Sequence, residues 1–105
     1  MPDENILIYV TFPTKKSAKK IAKELVDKKM IVCANIRKHT AVYHYQNKTY
    51  EEKEFGSILK TKKTKWKEVR KFILKNHPYD TPVILKIKID EANDGFNKWV
   101  DDTVN

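Results

Sequence analysis

Between Ile31 and Thr61 the chain reads almost throughout as strand, broken by one tight turn at Gln46-Asn47-Lys48. Ile31 to Ile36 are β-branched or small, Ala41 to Tyr45 form another strand-like run, and Tyr50 to Thr61 return as the second arm. Asn47 tolerates the positive φ that short hairpin turns require. Such a hairpin, about thirty residues long at roughly 3.3 Å per residue, outreaches the single modest core that 105 residues can build. The excess predicts that part of the ribbon packs on another subunit, because exposed strand edges invite pairing. Arg37-Lys38-His39-Thr40 interrupts the first arm and is a place for a bulge or bend. On the returning arm Phe55, Ser57 and Leu59 share one face, while Glu54, Gly56, Ile58 and Lys60 share the other.

The flanking segments supply what the ribbon packs on. Ile6 to Phe12 is a continuous apolar and β-branched run ended by Pro13, which suits a strand placed centrally in a sheet. Thr14 is positioned to cap a helix whose apolar residues Ala18, Ile21, Ala22, Leu25 and Val26 fall on one face, opposite a row of lysines. Thr64 to Asn76 repeats the pattern with Trp66, Val69, Phe72 and Ile73 as the buried stripe. Val83, Leu85, Ile87 and Ile89 then alternate with Ile84, Lys86 and Lys88 as a half-buried strand. After a polar turn from Asp90 to Gly95, the spacing of Phe96, Trp99, Val100 and Val104 predicts a short helix starting at Asn93 or Asp94. The order β-α-β-β-α-β plus a terminal helix predicts an α+β, ferredoxin-like sandwich, with one antiparallel sheet and both main helices on one face, over residues 1–105.

Helix and strand meet at His77-Pro78-Tyr79-Asp80-Thr81-Pro82, where two prolines end the helix and push Thr81 into extended backbone. The segment reads as a rigid connector that also holds His77 at a fixed place. Cys33 is the single cysteine, so no intrachain disulfide forms and a reducing compartment suits the chain, which predicts a soluble cytoplasmic protein. No apolar run approaches the roughly 20 residues that span a bilayer, so no membrane association is expected. The formal charge of +8 permits a nucleic-acid partner, but the 22 Lys and Arg are spread along the chain as a solvated basic surface.

Five segments in this order carry a family resemblance: Val32-Cys33-Ala34-Asn35-Ile36, Tyr43 to Lys48, Ile58-Leu59-Lys60-Thr61, His77 to Pro82, and Trp99. From Ile6 to Val100 the chain resembles the CutA family of divalent-cation tolerance proteins. The resemblance implies a homotrimer whose long hairpins cross between subunits, with Tyr43, Tyr45 and Lys48 in the oligomerising hairpin, and a link to tolerance of copper and other divalent cations. The family's usual tip, Tyr-x-Trp-x-Gly-Lys, is Tyr43-His44-Tyr45-Gln46-Asn47-Lys48 here, which keeps an aromatic and a turn former. A glutamate that follows the hexapeptide in many members is Val83 here, and a cysteine that some members carry near the end of the first strand is replaced by Val10 and Thr11. The metal-ligand set is therefore short of a carboxylate.

His77 is the leading ligand candidate, since imidazole suits copper, zinc or nickel. Cys33 would favour Cu(I) as a ligand, or serve as a small buried hydrophobe. Tyr79, Asp80, Lys60 and Glu54 are candidates to line a cleft for a small-molecule effector beside His77. Glu51, Glu52 and Glu54 read as a solvated acidic cluster facing lysines, and His39 and His44 as surface histidines of the ribbon. Glycine-rich phosphate loops and serine or cysteine-histidine motifs are absent, which favours binding over catalysis. Two alternatives share the fold: a trimeric signalling protein resembling the PII type that binds an anionic effector, and an RNA-recognition module. The second needs aromatics where this chain has Glu54-Phe55-Gly56-Ser57-Ile58-Leu59.

Overall fold

A computed structural model describes residues 4–105 and gives the element order β1 (Asn5–Phe12), α1 (Lys15–Asp27), β2 (Cys33–Tyr45), β3 (Lys48–Lys62), α2 (Trp66–Asn76), β4 (Ile84–Lys88) and α3 (Asp94–Thr103). A single 3-10 turn, Lys63–Lys65, leads into α2. The four strands form one antiparallel sheet in the order β2-β3-β1-β4, so the first strand is internal, as its unbroken apolar run requires.

Alternation along β1 divides the molecule. Ile6, Ile8, Val10 and Phe12 point to the helices and are buried with Leu59 of β3, Ile21 and Leu25 of α1, and Val69 and Ile73 of α2. Each such side chain contributes about 1.5–3 kcal/mol relative to an exposed position. α1 begins at Thr14, whose Oγ1 accepts from the Ser17 amide at 3.0 Å. It ends in a Schellman motif: the Met30 amide donates to Leu25 O and the Lys29 amide to Val26 O. That closure places Lys29 at φ 59°, a left-handed position usually given to glycine. Thr61 locks the following loop to the sheet by donating from its hydroxyl to Met30 O at 2.7 Å.

Three expectations change. The first arm has no bend: β2 pairs with β3 without interruption from Cys33↔Lys60 to Tyr45↔Lys48, because Arg37 to Thr40 keep their alternation and Gly56 accommodates them from the opposite strand. The turn is two residues rather than three, with Gln46 at φ 51° and Asn47 at φ 63°, and Lys48 already belongs to β3. The alternating residues of β4 do not join the helix-side core. Leu85 and Ile87 pair with Tyr9 and Leu7 on the opposite face of the sheet and remain 50% and 45% exposed, while Ile84 packs on the core and Lys86 lies over the Trp66 ring at 5.7 Å. In α3, which forms where the spacing predicts it, Trp99 is 48% exposed, whereas Val100 and Val104 are buried against Val32 with Cys33 and Phe96 alongside.

Beyond the Phe12↔Phe55 pair β1 ends, and the ribbon continues alone from His39↔Glu54 to Tyr45↔Lys48. These seven pairs project roughly 20 Å, which accounts for a longest dimension of 47 Å against 25 and 21 Å for the others.

Candidate functional site

Where the ribbon leaves the body of the sheet, it forms one wall of a groove of about 700 Å³, and the Tyr79-Asp80-Thr81 segment of the junction forms the other. A two-residue turn at Gln46–Asn47 makes paired residue numbers sum to 93, which sets His39 directly across from Glu54. Direct partners share a face, and His39 Nε2 lies 2.8 Å from Glu54 Oε1 with both side chains largely buried, at 31% and 14% exposure. Gly56 makes this possible, because a Cβ there would stand 3.0 Å from His39 Cε1 and 3.2 Å from a ring carbon of Tyr9. The imidazole occupies the space that any other residue would fill.

Two alternations outward along β2, Tyr43 stacks on Tyr50 with centroids 5.2 Å apart and donates its hydroxyl to Glu52 Oε2 at 2.8 Å. That hydrogen bond is the main reason its phenol pKa is pushed up to about 12. The Tyr79 phenol is also shifted upward, first by burial and then by the charges of Glu54 and Glu52. Glu52 and Glu54 are therefore engaged by a phenol and an imidazole rather than by the lysines expected for a solvated cluster. Lys48 sits over the Tyr50 ring at 5.3 Å, and Tyr45 is 48% exposed.

His77 has a different employment from the one expected of a ligand. Its ring stacks on Phe12 with centroids 4.6 Å apart; Nε2 donates to Thr11 O at 2.7 Å, and Nδ1 accepts from the Tyr79 amide at 3.0 Å. Both nitrogens are committed to backbone, which leaves no lone pair for a metal. Burial lowers the imidazole pKa, an effect opposed by the bond to Thr11, and the neutral ring is the form whose Nδ1 can accept. His77 thus ties the junction to the end of β1 and aims Tyr79 at the groove.

The remaining candidates separate. Cys33 packs beside the Val32, Val100 and Val104 cluster, across from Lys60 and Leu7. Thr11, which His77 touches, lies four residues further along β1, roughly 13 Å away and two strand spacings of about 4.8 Å across. Cys33 and His77 therefore do not share a site. Lys60 lines a separate hollow with Leu7, Asn35 and Arg37, apart from Tyr79, Asp80 and Glu54, which do meet in the groove. His39 is the functional candidate that residue-by-residue reading undervalued. The signal was the turn: an uninterrupted hairpin closed at Gln46–Asn47 puts a carboxylate opposite it.

Among the described residues no three His, Cys, Asp or Glu side chains converge closely enough to enclose a metal ion. His39 Nε2 and Glu54 Oε1 share a direct hydrogen bond of 2.8 Å, and a cation bound by both would have to take the place of its proton. At metal–ligand distances of about 2.0–2.1 Å that spacing subtends about 86°, near the right angle of tetragonal Cu(II) and below the tetrahedral angle.

Comparison with known proteins places these features in a family. The model of the CutA1 divalent ion tolerance protein matches residues 6–103. The divalent-cation tolerance protein CutA of Thermococcus kodakarensis is 46% identical over 97 residues, covering 92% of this chain and 93% of the relative. The crystal structure of CutA1 from Pyrococcus horikoshii superposes with a TM-score of 0.92 at 42% identity, over 95% of this chain and 98% of that one. A structure of the periplasmic divalent cation tolerance protein CutA from Archaeoglobus fulgidus gives 0.94 at 36% identity, over 96% and 99%.

Proposed function

The chain belongs to the CutA1 family of divalent ion tolerance proteins, and from that premise we propose that it acts as a homotrimer that binds a divalent cation, copper foremost, in the groove at the root of the ribbon. The observation that carries the reading is the His39–Glu54 pair, held at ligand spacing over Gly56. Imidazole with carboxylate is a donor set suited to Cu(II) or Zn(II). Tyr79 and Asp80 border the same groove and would orient the ion's water or supply a further donor. Two donors do not retain an ion, so the third comes from a neighbouring subunit in this proposal.

Assembly has independent support. A two-stranded ribbon has little stability alone, and this one presents Val42 at 67% and Tyr45 at 48% exposure. Leu85 and Ile87, with Ile58 at 37% exposure, leave the helix-free sheet face apolar as well. A second and third copy covering both surfaces answers both needs. The reading is binding rather than catalysis. No helix among the described residues is long and apolar enough to cross a membrane, and the single free Cys33 fits a reducing compartment such as the cytoplasm. Of the alternatives, RNA recognition finds Gly56 and Ile58 where base-stacking rings are needed, and the PII-like reading has no basic cluster in the groove to hold an anion.

The test is calorimetric titration of Cu(II) and Zn(II) into the wild type and the His39→Ala, Glu54→Gln and His77→Ala variants, with light scattering on each. Loss of at least tenfold in Cu(II) affinity for the first two and an unchanged value for the third is expected, on particles of about three times 12.4 kDa. Loss confined to His77→Ala would overturn the ligand assignment, and a 12.4 kDa particle would overturn the assembly.

A further inference from the structure

The helix side of the molecule carries a charge asymmetry that the linear order hides. Residues 15–29 and 65–75, which cover α1 and nearly all of α2, hold twelve of the 22 Lys and Arg but three of the 14 Asp and Glu. Everything else holds ten against eleven, so the net charge of +8 comes entirely from the two helices. Cations spread along the chain are gathered because α1 and α2 pack on one face of the sheet, sharing the core of Ile21, Leu25, Val69 and Ile73. Lys28 Nζ, at the end of α1, lies 5.9 Å from the Phe72 ring of α2 and joins the two outer surfaces into one. Eleven of the twelve cations are exposed, and only Lys65 forms an ion pair with another described residue, Glu68. Opposite the buried stripe of α1 stand Lys16, Lys20 and Lys23, and opposite that of α2 stand Lys67, Lys71 and Lys75. Like charges three and four residues apart weaken a helix, and no internal counter-charge relieves these rows.

A partner that supplies the counter-charge must be anionic over about 20 Å, the length of a thirteen-residue helix. Anionic lipid fits poorly, because insertion needs an apolar helix face and both such faces are buried in the core, with Val26 and Leu74 as scattered exceptions. Single strands fit poorly too, since they are held by bases stacking on free rings. Here the Trp66 ring has Arg70 at 5.5 Å and Lys86 at 5.7 Å, and the Phe72 ring has Lys28. Duplex DNA presents one charge per roughly 1.7 Å of axis, or about 12 over 20 Å, a density that the twelve cations match. Rows on packed helices stand about 8–10 Å apart, between the roughly 6 Å and 12 Å widths of the B-form grooves, so each row can follow one phosphate strand. The A-form grooves of duplex RNA, one deep and narrow and one wide and shallow, suit that separation less well. We infer that the outer surface of α1 and α2 binds duplex DNA through its phosphates, without regard to sequence. This surface faces away from the sheet face and the ribbon assigned to assembly, and away from the groove.

The experiment is fluorescence anisotropy of the full chain with two labelled DNA duplexes of unrelated sequence, each about two helical turns long, at salt from about 50 to 200 mM. Unlabelled duplex RNA, single-stranded DNA and phosphatidylserine vesicles serve as competitors. The expected result is affinity equal within about twofold for the two sequences, a log–log salt slope of about −4 or steeper, which is a loss of roughly 250-fold over that range, and weaker competition by all three competitors than by unlabelled duplex DNA. Lys23→Gln/Lys71→Gln takes one exposed charge from each helix, weakens binding at least fivefold and flattens the slope by about 2; Lys23→Arg/Lys71→Arg keeps the wild-type affinity. Lys53→Gln/Lys98→Gln removes the same charge from the ribbon and α3 and changes affinity less than twofold. Four results would each overturn the inference: no binding at the lowest salt, equal weakening by the two glutamine pairs, an affinity that depends on sequence, or competition by RNA, single strand or vesicles as strong as that by duplex DNA.

Discussion

Replacing Gly56 by alanine tests the contact on which the groove is built. The added Cβ would lie 3.0 Å from His39 Cε1 and 3.1 Å from Nδ1, so the ring must retreat by about 0.4 Å to reach ordinary contact at 3.4 Å. That movement strains the 2.8 Å link to Glu54. A hydrogen bond to a charged group is worth about 1.5–3 kcal/mol, and partial loss of one that is partly exposed costs roughly half of that. Alanine in place of a strand glycine returns about 0.5 kcal/mol through the unfolded chain. The expected net effect is destabilisation of about 0.6 kcal/mol, a fall in Tm of about 2–5 °C for a domain of this size. The decisive measurement repeats the substitution in a His39→Ala background, at fixed protomer concentration because the proposed assembly would add to stability. With the imidazole gone, Gly56→Ala becomes neutral or stabilising, and the double-mutant cycle shows coupling of about 1–1.5 kcal/mol. Equal costs in the two backgrounds would refute the reasoning.

Three other expectations concern single sites. Ser57 is 1% exposed and its hydroxyl has no hydrogen-bond partner among the described residues, so Ser57→Ala raises unfolding free energy by about 1 kcal/mol in denaturant titration; a loss of that size would show that the hydroxyl has a donor or acceptor after all. Lys29→Gly relieves the left-handed strain in the Schellman motif at φ 59° and stabilises by about 0.5–1 kcal/mol, read as a higher denaturation midpoint, whereas an unchanged or lower midpoint counts against it. His77 has a folded pKa below its unfolded value of about 6.5, so the unfolded state binds more protons. Its contribution is complete above pH 6.5 and is lost as pH falls through that value towards the lowered one. Denaturation midpoints between pH 7.5 and 5 should fall more steeply in the wild type than in His77→Gln, and parallel profiles would remove His77 as the cause.

The sequence made legible what local pattern controls. The unbroken run at Ile6 to Phe12 announced an internal strand, the 3.6-residue stripes announced α1 and α2, and the two prolines announced the junction. Pattern alone could not say which side an alternating strand presents. Leu85 and Ile87 face away from the helices because Lys86 is drawn to the Trp66 ring and because their partners Leu7 and Tyr9 already lie on that side. For His77, the type of residue suggested a ligand, but a stacked Phe12 and two backbone partners, one of them 66 positions away, decided otherwise. His39 gained its meaning from register, which depended on a turn one residue shorter than expected and on a glycine in the facing strand. Trp99 followed the helical spacing and still stayed outside, since α3 offers the sheet a stripe only wide enough for Val100 and its neighbours.

The free-standing part of the ribbon has a consequence for how such a chain can change over generations. From His39↔Glu54 outward no third strand among the described residues of its own chain pairs with it, so its length is a quantity that insertions can adjust without disturbing β1 or the helices. The increments are not arbitrary. Two residues added to each arm extend the reach by about 7 Å and keep every side chain on its face, whereas a single added pair turns the face beyond it over. The arm is thus a reach set in even steps, and variation there alters what the chain can grasp before it alters how the chain folds.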